Sequence, residues 1–127
     1  MKALTICQPY PHLIALGEKR VENRTWYTRH RGELAIHAGK SRSWLADDIA
    51  DKYQEMVFGA VIAIAQLVDC VEYGPKAFAR YPWLESHVHA GGPFCWILDD
   101  VQPIVPVYCN GHQGLWNFDP PASALKG

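Results

Sequence analysis

The sequence has 127 residues, of which 49% are hydrophobic and 20% charged, with a net charge of −1 and a pI near 6.6. This length predicts one domain, 1–127, and the composition excludes a disordered chain because it supplies enough apolar residues for a core. The small net charge excludes nucleic-acid binding through the charge of the whole domain, but it allows a local basic patch.

The first half of the chain predicts short strands and helices. Prolines in the first turn and Gly17 at the end mark one helix, and an apolar stripe with Ser41 or Ser43 as cap marks another. The elements expected are a strand at 3–7, a helix at 8–17, strands at 19–26 and 33–39, and a helix at 41–54.

The second half begins with a β-branched run at 57–73. This run is long for one strand, so we expect a bend at Gly59 or near Gln66. A short helix or turn should follow at 74–87.

A last strand is expected from residue 93, giving way to an edge or loop segment that Pro103 and Pro106 interrupt. Asn110-Gly111 indicates a turn, and the tail from about 119 is expected to fray. Together, five to six strands with dispersed helices predict an α+β fold, arranged as a small mixed or closed barrel that leaves no bare sheet edge.

Cysteine spacing and hydropathy bear on the compartment. The four cysteines form no CxxC motif, no signal peptide is apparent, and the longest apolar run, 56–65, is too short to span a bilayer. We therefore predict a cytoplasmic protein that does not bind membranes. No cofactor or metal is predicted, although His87-x-His89 and Cys109-x-x-His112 have ligand-like spacing.

Positive charge is concentrated between residues 19 and 42, and this region holds a G-x-K-x-x-E-x-R element made by Gly17, Lys19, Glu22 and Arg24. With this element, four segments resemble the ASCH domain family of the PUA-like superfamily: 8–26, 32–40, 59–72 and 94–116. The resemblance implies a PUA-like β-barrel of five to six mixed strands with two to three short helices and a cleft beside the barrel. It also implies RNA-related binding, so the expected ligand is RNA, a nucleoside or a nucleotide.

The residues expected to line the cleft are polar and lie in or near the matching segments. Lys19 and Arg24 can hold a phosphate or a base edge, and Glu22 can accept from an exocyclic amine. A solvated surface ion pair is the alternative for these three side chains. The other expected ligand-binding residues are Gln8, Tyr10, His37, Lys40, Gln113 and Gly114. Trp26, Trp44 and Trp83 could stack on a base, but packing is the more common role of Trp.

An enzyme of the same family is the alternative function. Some similar proteins are amidohydrolases that deacetylate N4-acetylcytidine, and others are nucleases, with Lys19 and Glu22 as the catalytic candidates here. In the amidohydrolase relatives, a Thr nucleophile follows the Lys by three residues, where this chain has Glu22; Thr25 is out of register. A further catalytic carboxylate has only Glu72 and Glu85 as candidates. A third reading is a partner-binding module whose cleft is filled by its own side chains.

Overall fold

The chain forms one six-stranded mixed sheet with three short α-helices in a computed structural model that describes residues 1–126. The strands are β1 Lys2–Ile6, β2 Val21–Arg24, β3 Gly32–Ala38, β4 Ala60–Glu72, β5 Phe94–Tyr108 and β6 Leu115–Asn117. The helices are α1 Tyr10–Ala15, α2 Asp47–Lys52 and α3 Pro75–Arg80, with 3-10 helices at Pro82–Leu84 and Ala122–Lys126.

The strand order is β2-β5-β4-β3-β1-β6, in which β1 and β3 are parallel and all other neighbours are antiparallel. The sheet curls into a half-barrel, with β2 and β6 at its two ends. This architecture confirms the predicted small α+β barrel of the PUA-like type. The expectation of no bare sheet edge is wrong, because the described strands β2 and β6 do not pair with each other. Its bounds as one domain and the fraying of its tail stay predictions.

The curvature has a local cause in β4. Its pairing with β5 shifts register between Val61 and Ala63, between Ile64 and Gln66, and between Leu67 and Asp69. Each such irregularity bends and twists the strand. The bend predicted near Gln66 is therefore confirmed.

The barrel interior is built by alternate residues of the strands. Trp96 is its largest fully buried side chain, and the Trp26 ring packs edge-on against it with centroids 4.7 Å apart. The other buried members of this core come from β1, β3, β4, β5 and α1: Leu4, Ile6, Ile14, Leu34, Ile36, Ala63, Ala65, Leu67, Cys70 and Leu98. Because Leu4 and Ile6 of β1 and Ile14 of α1 belong to this core, the end of β1 is packed beside α1.

Two boundary predictions need correction. The segment with Pro103 and Pro106, predicted as an edge or a loop, is an edge, because β5 runs through both prolines as one strand of 15 residues. Both prolines lie beyond Ile97, where pairing with β2 has stopped and β4 alone flanks β5 among the described strands. One edge of β5 needs no hydrogen-bond donors there, so proline is tolerated.

The second boundary to correct is that of the helix predicted at 41–54, which begins only at Asp47. Ser41 and Ser43 hydrogen-bond to each other and cap nothing. The residues before Asp47 instead form a loop, 39–46, held by the Arg42 guanidinium stacked 3.9 Å above the Phe58 ring. Among the helices of residues 1–126, none is both long and apolar enough to cross a membrane.

Candidate functional site

A cavity of about 490 Å³ opens beside the barrel, and we call it the first cavity. Its volume is in the usual range for small-molecule sites, roughly 300–1,000 Å³. The end of β1 and the start of α1 form one wall, the segment from Lys19 to Arg24 forms the floor, and loops 39–46 and 85–93 flank the mouth. The cavity is open, so the predicted alternative of a cleft filled by its own side chains does not apply to it.

Three charged side chains of the floor form one cluster, which we call the charged cluster. Lys19 Nζ lies 3.4 Å from Glu22 Oε1, and Arg24 Nε lies 3.2 Å from Glu22 Oε2. The side chains of Lys19 and Glu22 are only 3% and 9% exposed, so this is not the solvated surface pair considered as the alternative. Two cations and one carboxylate leave one positive charge in excess at the floor.

Lys19 reaches the floor because the chain turns after α1. Gly17 has a φ of 82°, which favours glycine, and the Lys19 N–H donates to the carbonyl of Leu13 at 3.2 Å. Strand alternation alone would have placed Lys19 on the face opposite Glu22. The turn at Gly17 removes this conflict and brings Lys19 above Glu22.

Burial sets the electrostatics of Lys19. Loss of hydration lowers the pKa of its ammonium below the ordinary 10.5, and the nearby Glu22 carboxylate opposes that shift. The ammonium also lies 5.4 Å from the centre of the Tyr10 ring, within the range of a cation–π contact. Lys19 is therefore a buried cation that depends on Glu22 and on the Tyr10 ring.

Arg24 connects the two sides of the first cavity. Its Nη2 donates a hydrogen bond of 2.9 Å to the carbonyl of Thr5, which lies past Leu4–Leu115, the last pair between β1 and β6. Its Nε is buried and lies 3.2 Å from Glu22 Oε2, but it is not aligned for a hydrogen bond with any described residue. The guanidinium thus links β2 to β1 and keeps one donor unused at the floor.

The mouth carries exposed apolar side chains. Trp44 in loop 39–46 is 69% exposed and Val88 in loop 85–93 is 88% exposed, and both line the first cavity. The packing role expected for Trp44 is therefore wrong, because loop 39–46 holds it in solvent. Trp26 packs against Trp96 as expected, and Trp83 packs under the Arg20 guanidinium at 4.0 Å.

A second cavity of about 590 Å³ adjoins the first, and Thr5 lines both. His37, Lys40 and Gln113 line this second cavity, whereas Tyr10 and the charged cluster line the first. The residues expected in one cleft are therefore divided between two.

Two of the expected ligand-binding residues line neither cavity. Gln8 is fully buried, where its amide donates to the Val57 carbonyl at 2.7 Å and accepts from the His12 N–H at 3.1 Å. Gly114 lies beside the second cavity in a left-handed turn with φ of 67°.

A hydrogen-bonded chain fixes the wall between the cavities. The Trp116 Nε1–H donates to Thr5 Oγ1 at 3.1 Å, and His37 Nε2 donates to the Cys109 carbonyl at 2.8 Å. His37 Nδ1 must then accept from the Thr5 hydroxyl, 3.1 Å away. Burial lowers the pKa of His37, which agrees with this neutral form. His37 therefore positions Thr5.

The groups that amide hydrolysis would need are incomplete at the first cavity. Thr25, Glu72 and Glu85 are exposed, and none lines it. The Thr5 hydroxyl does lie at its wall but is committed to His37 and Trp116. Within residues 1–126, no group of three or more His, Cys, Asp or Glu side chains is arranged to hold a metal ion.

The sequence-based reasoning missed several lining residues, among them Thr5, Asn23 and His89. Asn23 joins β2 to loop 85–93, because its amide donates to the His89 carbonyl and accepts from the Gly91 N–H. Its polar side chain within a four-residue strand was a usable signal. Thr5 and His89 had no such signal in the sequence, because only the tertiary structure brings them to the first cavity.

Comparisons with known proteins were made on sequence and on fold. The ASCH domain profile matches residues 4–102. Over 131 aligned residues, covering 91% of this chain and 22% of each relative, the chain is 51% identical to mouse activating signal cointegrator 1 and 28% identical to the human protein. The chain thus spans about a fifth of the length of these relatives.

The fold is similar to that of solved structures of an ASCH protein from Zymomonas mobilis. One variant of that protein has a TM-score of 0.57 at 18% identity, over 98% of this chain and 91% of that chain. Another has a TM-score of 0.52 at 20% identity, over 84% and 74%. At these identities the likeness shows a shared fold, and the profile match shows the family. The chain belongs to the ASCH domain family.

Proposed function

We propose that this domain binds RNA, with one unpaired nucleotide of a single strand entering the first cavity. The observation that carries the proposal is the combination of a buried charged cluster at the floor with an exposed Trp at the mouth. Proteins read single-stranded RNA by stacking a splayed base on an aromatic ring and bonding its edge to polar groups. The family resemblance and the cytoplasmic location predicted from the sequence agree with this function.

The floor supplies the groups that a base edge or its phosphate requires. Lys19 and Arg24 both line the first cavity and carry N–H donors. Glu22 has oxygen lone pairs beyond its two ion pairs and can accept from the exocyclic amine of cytosine. One excess positive charge at the floor favours an anionic ligand over a neutral one.

Trp44 supplies the stacking surface. Its ring is exposed on loop 39–46, and Val88 of loop 85–93 lines the same cavity. A base that enters the cavity can stack on the Trp44 ring. Stacking of this kind contributes about 1–3 kcal/mol per base.

Titration of labelled oligocytidylate and oligouridylate RNA at low salt tests this function. We expect Trp44→Ala to weaken binding by about 5- to 150-fold, which corresponds to a stacking energy of about 1–3 kcal/mol. Tyr108→Ala is the matched control, because Tyr108 is an equally exposed aromatic residue, at 71%, that does not line the first cavity. If the wild type binds neither RNA nor cytidine derivatives in low salt, where electrostatic affinity is greatest, the proposal is wrong.

Hydrolysis remains the second candidate, either of an N4-acetylcytidine-like amide or of RNA, because Lys19 has a lowered pKa inside an open cavity. Against it stands Glu22 at the position of the Thr nucleophile. To test hydrolysis, N4-acetylcytidine and RNA are each incubated with the wild type and with Lys19→Ala, and the products are separated by chromatography. We expect no turnover by either protein; turnover by wild type that Lys19→Ala abolishes would establish the enzyme.

A further inference from the structure

The second cavity has a lining unlike that of the first, although the two share Thr5. One wall is the segment from His37 to Lys40, and the other is the turn from Asn110 to Gln113. None of the three side chains of the charged cluster lines it. The proposed role of the first cavity therefore leaves the second without a function.

The lining of the second cavity offers donors and one cation. Within the hydrogen bonds of the described residues, the backbone N–H groups of 110–114 find no acceptor in the protein. Lys40 Nζ lies 3.3 Å from Asn110 Oδ1 across the cavity. Consecutive backbone N–H groups beside a lysine form a common type of anion site.

Two glycines give this lining its shape. A Cβ on Gly59 would lie 3.1 Å from Lys40 Cε, so the bare glycine lets the lysine stem pass and keeps its ammonium at the cavity. A Cβ on Gly111 would lie 2.4 Å from Thr5 Oγ1. The turn therefore packs so closely against Thr5 that no side chain fits at position 111. A ligand in the second cavity would therefore lie against Thr5, which also lines the first cavity.

We propose that the second cavity binds the phosphodiester next to the base held in the first cavity, so that the domain recognises at least a dinucleotide of single-stranded RNA. This inference rests on the proposed function and specifies its substrate. Lys40 supplies the charge, the turn 110–113 can supply N–H donors, and the exposed Gln113 amide can reach a ribose hydroxyl. Burial lowers the pKa of His37, which disfavours a second positive charge beside Lys40.

Calorimetric titration with cytidine and with the dinucleoside monophosphate CpC tests the inference. We expect the wild type to bind CpC at least about tenfold more tightly than cytidine, with a salt dependence that cytidine lacks. Lys40→Gln should remove this advantage, because it should weaken the binding of CpC much more than that of cytidine. Lys76→Gln is the control for loss of a positive charge, because Lys76 is exposed on α3 and lines neither cavity.

The outcomes separate this inference from the proposed function. If cytidine and longer RNA bind but CpC has no advantage, the phosphate subsite is wrong and the base site stands. The subsite is also wrong if Lys40→Gln weakens cytidine and CpC by the same factor. If RNA, CpC and cytidine all fail to bind at low salt, both the subsite and the proposed function fall.

Discussion

Glu22→Gln is expected to lower the free energy of unfolding by about 3 kcal/mol near neutral pH. Removing one partner of a buried ion pair leaves the other charge without compensation, which costs roughly 3–5 kcal/mol. We expect the lower end, because the amide still accepts a hydrogen bond from Lys19. The measurement is urea denaturation followed by Trp fluorescence, and Lys19→Met/Glu22→Gln should recover most of the loss because it removes the buried charge as well.

Glu55→Gln is the control for this experiment. Glu55 also pairs with a basic side chain, His12 at 3.1 Å, but it is 65% exposed. Such exposed pairs contribute under about 1 kcal/mol, so the control should change stability little. If Glu22→Gln were as stable as the wild type, Glu22 would not compensate the charge of Lys19.

The same pair predicts a pH dependence with a definite sign. The unfolded chain keeps the Lys19 proton up to about the ordinary pKa of 10.5, whereas the folded chain releases it at lower pH because Lys19 is buried. Between these values the unfolded state binds more protons, so this group raises the free energy of unfolding as pH rises. Any stability advantage of Lys19→Met over the wild type should therefore shrink toward pH 10.5.

Gly111→Ala is expected to cost roughly 3 kcal/mol, near the upper end of the cost of overpacking. The new Cβ would lie 2.4 Å from Thr5 Oγ1 and 2.8 Å from His37 Nδ1, so it would push apart the hydrogen-bonded wall between the cavities. Thermal denaturation should show the loss. Binding of CpC should weaken too, since the 110–114 turn would move.

Gly91→Ala is the matched control for Gly111→Ala. Its added Cβ would meet only the Asn23 side chain, at 3.7 Å, which is an ordinary contact. Stability should stay within about 0.5 kcal/mol of the wild type, as for most surface changes. Equal stability of the two alanine variants would show that the wall can rearrange at no cost.

Local pattern was sufficient to predict the α+β class, whereas the placement of Lys19, Glu22 and Arg24 in a cleft came from the resemblance to the ASCH family. The turn at Gly17, the β-branched run of β4 and the G-x-K-x-x-E-x-R element act within short stretches of chain. These features depend on backbone preference and on alternation, both of which are visible in sequence.

The remaining features depend on distant segments. Pro103 and Pro106 indicate an edge or a loop, and the choice between the two depends on β2, which is too short to cover that edge of β5. Trp is a residue type that is usually buried, but Trp44 is exposed. Its loop is held by the stacking of Arg42 on Phe58, which is distant in sequence. The division of the site into two cavities follows from the position of Thr5, which Arg24 and His37 approach from different elements.

The most direct test of the central claim is the NMR spectrum of the tryptophan indole N–H groups during titration with single-stranded oligocytidylate RNA. The sequence has five Trp, so each indole reports on one place in the fold, and Trp44→Ala assigns the signal at the mouth. We predict a saturable shift of the Trp44 signal, with little change in that of the buried Trp96. Saturable RNA binding that leaves the Trp44 signal unmoved would contradict the assignment of the first cavity as the RNA site.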